Sequence, residues 1–143
     1  MSLFVKPKKK ILVVDDSEID LVLVENLLQE KYTVLPTKSG QEALDYLLHY
    51  NIVDLILLDL VMPEMDGWET FSRIEDLGLI SHIPIAFVTS VNGVEEQKHA
   101  KEIGAVDYII KPYSGKDLLH RIKIILKEHP VKKEAAETIT SGN

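Results

Sequence analysis

Asp54-Leu55-Ile56-Leu57-Leu58-Asp59-Leu60-Val61-Met62-Pro63-Glu64-Met65-Asp66-Gly67 is the stretch that decides the fold of this chain. Leu55 to Leu58 form an unbroken apolar run. A run without polar alternation predicts a strand covered on both faces. The run ends directly in Asp59, so a carboxylate is delivered to the end of a core element. Pro63 and Gly67 then turn the chain toward the next helical pattern. Taken alone, Asp59 has a second reading as a cap for its own loop. The remaining strands decide between the two, because each ends in comparable chemistry.

Working outward, Ile11-Leu12-Val13-Val14 predicts a first strand ending in Asp15-Asp16. Ser17 and Asp20 read as a capping box before a helix carrying Ile19, Leu23 and Leu27, with Val24 and Leu28 beside them. Tyr32 to Pro36 reads as a short edge strand, since proline cannot donate to a ladder. Ser39 and Glu42 cap a helix with Ala43, Leu44, Leu47 and Leu48 on one face. After the central strand, Asp66 and Glu69 cap a helix bearing Trp68, Phe71 and Ile74, closed by Gly78.

Ile85-Ala86-Phe87-Val88 is the fourth strand, ending at Thr89. Asn92 and Glu95 open a helix anchored by Val94, Ala100 and Ile103, which Gly104 ends. Asp107-Tyr108-Ile109-Ile110 is the fifth strand, ending in Lys111-Pro112. Ser114 and Asp117 cap a last helix through Leu118, Leu119, Ile122, Ile125 and Leu126. Residues 1–9 read as a flexible basic leader and 129–143 as a flexible C-terminal tail, leaving one domain over 10–128.

Strands alternating with helices predict an α/β fold, a doubly wound parallel sheet of five strands with five helices. Right-handed crossovers bring all the strand C-termini to one edge, where ligands of such sheets bind. That edge collects Asp15, Asp16, Asp59, Thr89 and Lys111. Crowded carboxylates repel one another and call for a cation. An all-oxygen, thiol-free cluster suits Mg²⁺. Lysine and threonine add a mobile charge and a hydroxyl donor, parts suited to phosphoryl transfer.

Composition bounds the alternatives. The 143 residues carry 45% apolar and 27% charged residues, a net charge of −7 and no cysteine. Disulfides and thiolate metal sites are excluded. The acidic balance disfavours direct nucleic-acid binding. No apolar run reaches the roughly 18 residues of a membrane span, so a cytoplasmic protein without a membrane partner is expected. His49, His82, His99, His120 and His129 are scattered without paired metal spacing and read as surface residues. No Gly-rich phosphate loop is present.

From about Lys10 to about Lys127 the pattern resembles the receiver domain of two-component response regulators. The resemblance rests on Asp15-Asp16, on Asp59 with Met62-Pro63 and Asp66-Gly67 behind it, on Thr89 and on Lys111-Pro112. It implies a flavodoxin-like strand order of 2-1-3-4-5 and a cis Lys111-Pro112 bond. It implies that Asp59 accepts a phosphoryl group from a histidine kinase or histidine phosphotransfer protein. Asp16, Asp59 and the Val61 carbonyl would hold Mg²⁺, with Asp15 acting through water. Lys111 and Thr89 would serve the phosphoryl group, Tyr108 would be a switch, and the fourth helix, fifth strand and fifth helix would form the output surface. Val61 and the equivalent Val91 would set the lifetime of the phosphorylated state, which their apolar side chains predict to be long.

The same resemblance implies a monomer or a weak phosphorylation-dependent dimer, as a stand-alone receiver or one excised from a longer protein. A receiver fold acting by binding alone is the alternative. A flavin binder is disfavoured by the acidic binding edge. A haloacid-dehalogenase-type phosphatase needs its two carboxylates separated by one residue, whereas Asp15 and Asp16 are adjacent.

Overall fold

The computed structural model describes residues 6–50, 52–78 and 83–131. Strand and helix alternate through β1 (Lys10–Val14), α1 (Glu18–Leu28), β2 (Thr33–Thr37), α2 (Gly40–Tyr50) and β3 (Leu55–Leu58). They continue through α3 (Gly67–Asp76), β4 (Ile85–Thr89), α4 (Val94–Ile103), β5 (Asp107–Ile110) and α5 (Gly115–Glu128). The strands form one sheet in the order β2-β1-β3-β4-β5, parallel throughout. Both the fold class and the strand order therefore match expectation.

β3 is central and buried at every position, which is why Leu55 to Leu58 show no polar alternation. Two apolar layers flank the sheet. One joins Leu12, Ile56, Leu58 and Phe87 to α2 and α3 through Leu44, Leu47, Phe71 and Ile74. The other joins Ile11, Val13, Leu55 and Leu57 to α1 and α5 through Leu21, Val24, Leu118 and Ile122. Pro36 sits in β2 at the sheet edge, where its missing N–H costs no ladder bond.

Four of the expected caps form. Ser17, Ser39, Asp66 and Ser114 accept from the backbone N–H groups of Asp20, Glu42, Glu69 and Asp117. The fifth does not, because Gly93 takes the N-cap position of α4 and makes no side-chain bond. Asn92 contributes only its carbonyl, which accepts from Gln97 Nε2 at 3.3 Å. Gly104 closes α4 at φ +101°, a conformation that favours glycine, and Gly78 follows α3 at φ +69°.

Three helix faces differ from the sequence reading. In α1 the buried residues are Leu21, Val24 and Leu28, while Ile19 is 74% exposed and Leu23 is also exposed. The segment has apolar residues around most of its circumference, so periodicity alone does not select the inward stripe. In α2 the outermost residue of the assigned face, Leu48, is exposed. In α4 the assigned anchor Val94 is 78% exposed, and Ala100 is the one buried helix residue. The second strand also runs one residue later than expected, over Thr33–Thr37.

Lys8 and Lys9 are attached to the domain: Lys8 Nζ donates to the Gln29 carbonyl, and the Lys9 carbonyl accepts from Thr33 N–H. His49, His99, His120 and His129 are exposed, as expected, while His82 lies outside the described residues. Of the flexible tail expected over 129–143, His129 instead caps α5 through its N–H to the Ile125 carbonyl and Val131 packs against the core. Residues 132–143, like residues 1–5 of the leader, lie outside the described residues. No helix among the described residues is long and apolar enough to cross a membrane.

Candidate functional site

The ladder fixes the acidic residues before any side chain is considered. Asp15 follows β1 directly, and its N–H donates to the Thr37 carbonyl of β2 at 3.1 Å. Asp59 follows β3, and its N–H donates to the Val14 carbonyl of β1 at 2.9 Å. Adjacent parallel strands thus end side by side. Carboxylate oxygens of Asp15, Asp16 and Asp59 lie within 4.8 Å of one another. Asp15 and Asp59 are buried, whereas Asp16 stands exposed at the rim.

Lys111 enters this cluster from the end of β5, next to a cis Lys111-Pro112 bond. Its N–H donates to the Thr89 carbonyl at 2.8 Å, which ties the ends of β4 and β5 together. Its Nζ lies 2.6 Å from Asp15 Oδ2, 2.8 Å from Asp20 Oδ2 and 3.2 Å from Asp59 Oδ2. Burial pulls the Lys111 ammonium down, but hydrogen bonds to Asp15 and Asp20 and the charges of Asp59 and Asp15 outweigh it. The net effect holds the ammonium well above its ordinary value. Asp15 moves the other way from a paired acid. Burial raises it above the usual carboxylate range, and the bonds from Lys111 and Ser17 N–H recover only part of that cost.

Asp20 was missed by the sequence reading, which assigned it to a capping box. Its backbone N–H does serve the Ser17 cap, but its carboxylate faces Lys111 instead of closing the box. No helical spacing marks it, because Asp15 and Asp16 precede the Ser17 N-cap and of the three only Asp20 lies in the first turn of α1.

Asp15, Asp16, Asp59, Val61 and Lys111 line one open cleft of about 690 Å³. Leu23 and Leu27 of α1 and Pro112 and Tyr113 beyond β5 add apolar surface to its lining. Val61 is 63% exposed there, and its N–H reaches Asp59 Oδ1 at 3.4 Å. Thr89 and Tyr108 do not line the cleft, which Ser90 lines instead. Thr89 is fully buried, and its Oγ1 accepts from Val91 N–H at 3.3 Å. Tyr108 is half-buried, and its hydroxyl donates to the Val91 carbonyl at 2.6 Å. The two residues therefore meet through the backbone of Val91.

Lys111 meets three carboxylates and Asp16 adds a fourth at the rim, so an excess of negative charge remains in this cluster. The donor set is all oxygen and free of thiols, which fits a hard divalent cation such as Mg²⁺.

Fold and site together define an acidic, cation-ready centre at the carboxyl edge of a doubly wound parallel sheet. The response regulator receiver domain model matches residues 11–123. The chain is 41% identical over 104 residues to a probable cyclic di-GMP phosphodiesterase of Vibrio cholerae, covering 73% of this chain and 23% of that protein. It is 34% identical over 136 residues to the probable transcriptional regulator ycf27 of Guillardia theta, covering 94% of this chain and 52% of that one. It thus spans about half or less of these curated relatives. The solved structure of the Vibrio cholerae chemotaxis protein CheY4 superposes with a TM-score of 0.77 at 28% identity, covering 82% of this chain and 98% of that one. The chain belongs to the response regulator receiver domain family.

Proposed function

We propose that this receiver is switched by phosphorylation of Asp59. The observation that carries the reading is the junction of Asp59 with Asp15, Asp16 and Lys111 at the carboxyl ends of β1, β3 and β5. An Asp59 carboxylate oxygen attacks the phosphorus of a phosphohistidine on a kinase or phosphotransfer protein. The new O–P bond forms as the N–P bond breaks, and the electron pair leaves with the imidazole nitrogen, which takes a proton from water. The product is an acyl phosphate on Asp59.

Asp16, Asp59 and the Val61 carbonyl would hold Mg²⁺, with Asp15 acting through water. The cation, when bound, supplies neutralisation of phosphoryl oxygens, the main demand of this chemistry. Lys111 is already 3.2 Å from Asp59 and provides a fixed positive charge for one of those oxygens.

The same site explains a switch. A phosphoryl group adds about 1.5 to 2 negative charges and new acceptor oxygens. The Thr89 hydroxyl, which now accepts from Val91 N–H, keeps its own proton to donate to one of them, and movement of Thr89 toward the phosphoryl group pulls on the Val91 loop. Val91 also holds Tyr108 through its carbonyl, so movement of this loop reaches β5 directly. α4, with Ala100 as its one buried residue, is the helix least tied to the core. The output surface then comprises α4, β5 and α5.

Incubation with Mg²⁺ and acetyl phosphate, followed by intact mass, tests the reading. We expect a gain of one phosphoryl group that chelation of the metal abolishes. No gain from acetyl phosphate or from a phosphohistidine donor would leave a receiver that acts by binding alone.

A further inference from the structure

A second chain of contacts joins Asp59 to α4 without passing through Thr89 or Tyr108. It begins at Gly67, the first residue of α3, whose N–H donates to the Leu60 carbonyl at 2.8 Å. A Cβ at Gly67 would lie 2.3 Å from the Asp59 carbonyl oxygen and 2.7 Å from Leu60 Cα. The start of α3 is therefore pressed against the peptide of the acceptor residue. The next residue is Trp68, the only tryptophan in the chain. Its ring meets Phe87 of β4 edge-on, with 5.0 Å between ring centres, and meets His99 of α4 edge-on at 4.6 Å.

α4 has few other footholds. Ala100 is its buried residue, Ile103 packs in part, and Val94 faces solvent. We infer that Trp68 is a positioning residue: it seats α4 through His99 and carries displacement of the Asp59–Gly67 loop to that helix. This rests on Asp59 as the phosphoacceptor and adds a transmission route beside the one through Val91. Trp68 is half-buried against the core, and its contacts with Phe87 and His99 restrict how far the indole can turn when the backbone that carries it shifts. A helix with so few anchors follows at low cost. The exposed imidazole of His99 forms the sliding end of the contact.

Hydrogen exchange on the full chain, with and without Mg²⁺ and beryllium fluoride as a stable phosphoryl mimic, tests the inference. Trp68→Leu and His99→Ala are compared with the parent protein, and acetyl phosphate labelling of each is followed by mass. Both variants are expected to label as the parent does, yet to lose most of the mimic-induced exchange difference over residues 94–103. The difference around Tyr108 is expected to remain. His99→Ala alters only an exposed side chain, so it decides the matter if Trp68→Leu fails to fold. A purely structural role would speed exchange in both states and leave their difference intact, and that result overturns the inference. Absence of labelling in the parent protein would instead overturn the phosphoacceptor reading and this inference with it.

Discussion

Lys111 Nζ stands 2.6 Å from Asp15 and 3.2 Å from Asp59, so at rest the lysine is held more closely by a neighbour than by the acceptor itself. Asp20 shares it at 2.8 Å. Asp59 is thereby left only partly neutralised, with one oxygen toward a long contact from Val61 N–H. The site is arranged around a deficit of positive charge, and the deficit has measurable consequences.

Lys111→Ala removes the one ammonium in contact with Asp15, Asp20 and Asp59. In metal-free buffer the variant is expected to lose roughly 1–3 kcal/mol of stability, the scale of leaving buried charges unpaired. Added Mg²⁺ should recover part of that loss by binding the folded state. Urea unfolding with and without the metal checks both statements. Unchanged stability in chelator would contradict them.

Asp15→Asn is expected to act in the opposite direction. Burial raises the Asp15 carboxyl, so the folded state binds its proton more tightly than the unfolded chain does. Keeping Asp15 ionised at neutral pH therefore costs stability, and that cost disappears as pH falls below the raised folded value toward 3.8. The variant should be at least as stable as the parent at neutral pH in chelator, because the desolvation cost of the carboxylate is gone while Asp20 and Asp59 still hold Lys111. The advantage should shrink on acidification, and Mg²⁺ should stabilise the variant less than the parent. Thermal unfolding across pH provides the comparison.

Gly67→Ala places a methyl group against the backbone of Asp59 and Leu60, which cannot yield as a side-chain tip would. A destabilisation of about 1–3 kcal/mol is expected, the scale of overpacking. Labelling of Asp59 should slow as well, because the clash falls on the acceptor's own peptide. Normal stability and normal labelling together would show that the contact relaxes without consequence.

Val61 is exposed at the mouth of the cleft, and Val91 is half-buried beside Thr89. Neither side chain can position an attacking water by hydrogen bonding. The acyl phosphate is expected to hydrolyse slowly, and replacing Val61 and Val91 by glutamine should speed its loss by about tenfold, equivalent to 1.4 kcal/mol of barrier. Decay of the phosphorylated mass over time measures this. An unaltered decay in the double variant would remove these positions from the account.

Much of the site was legible in the sequence because each strand ends where its apolar run stops. Asp15, Asp59, Thr89 and Lys111 thus announce their places by position alone, and β3 announces its central burial by lacking alternation. The helix faces were less legible. Ile19, Leu21, Val22, Leu23 and Val24 offer apolar residues all round, and only docking onto the sheet selects Leu21 and Val24. Val94 looked like an anchor because α4 has so few apolar residues, but it is the first residue of the helix and faces solvent. Asp20 was hidden for a different reason: a cap pattern explained its backbone, while its carboxylate answered to a lysine 91 positions away. The role of Val91 as the backbone link between Thr89 and Tyr108 leaves no trace in residue type, since any residue supplies the same N–H and carbonyl.

The central claim is that Asp59 itself takes the phosphoryl group. Labelling with Mg²⁺ and acetyl phosphate, reduction of the acyl phosphate with borohydride, and peptide mass mapping would locate it. Conversion of Asp59 to homoserine, with no conversion at Asp15, Asp16 or Asp20 and no labelling of Asp59→Asn, is the predicted result. Conversion at another aspartate, or an equal mass gain in Asp59→Asn, would contradict the account.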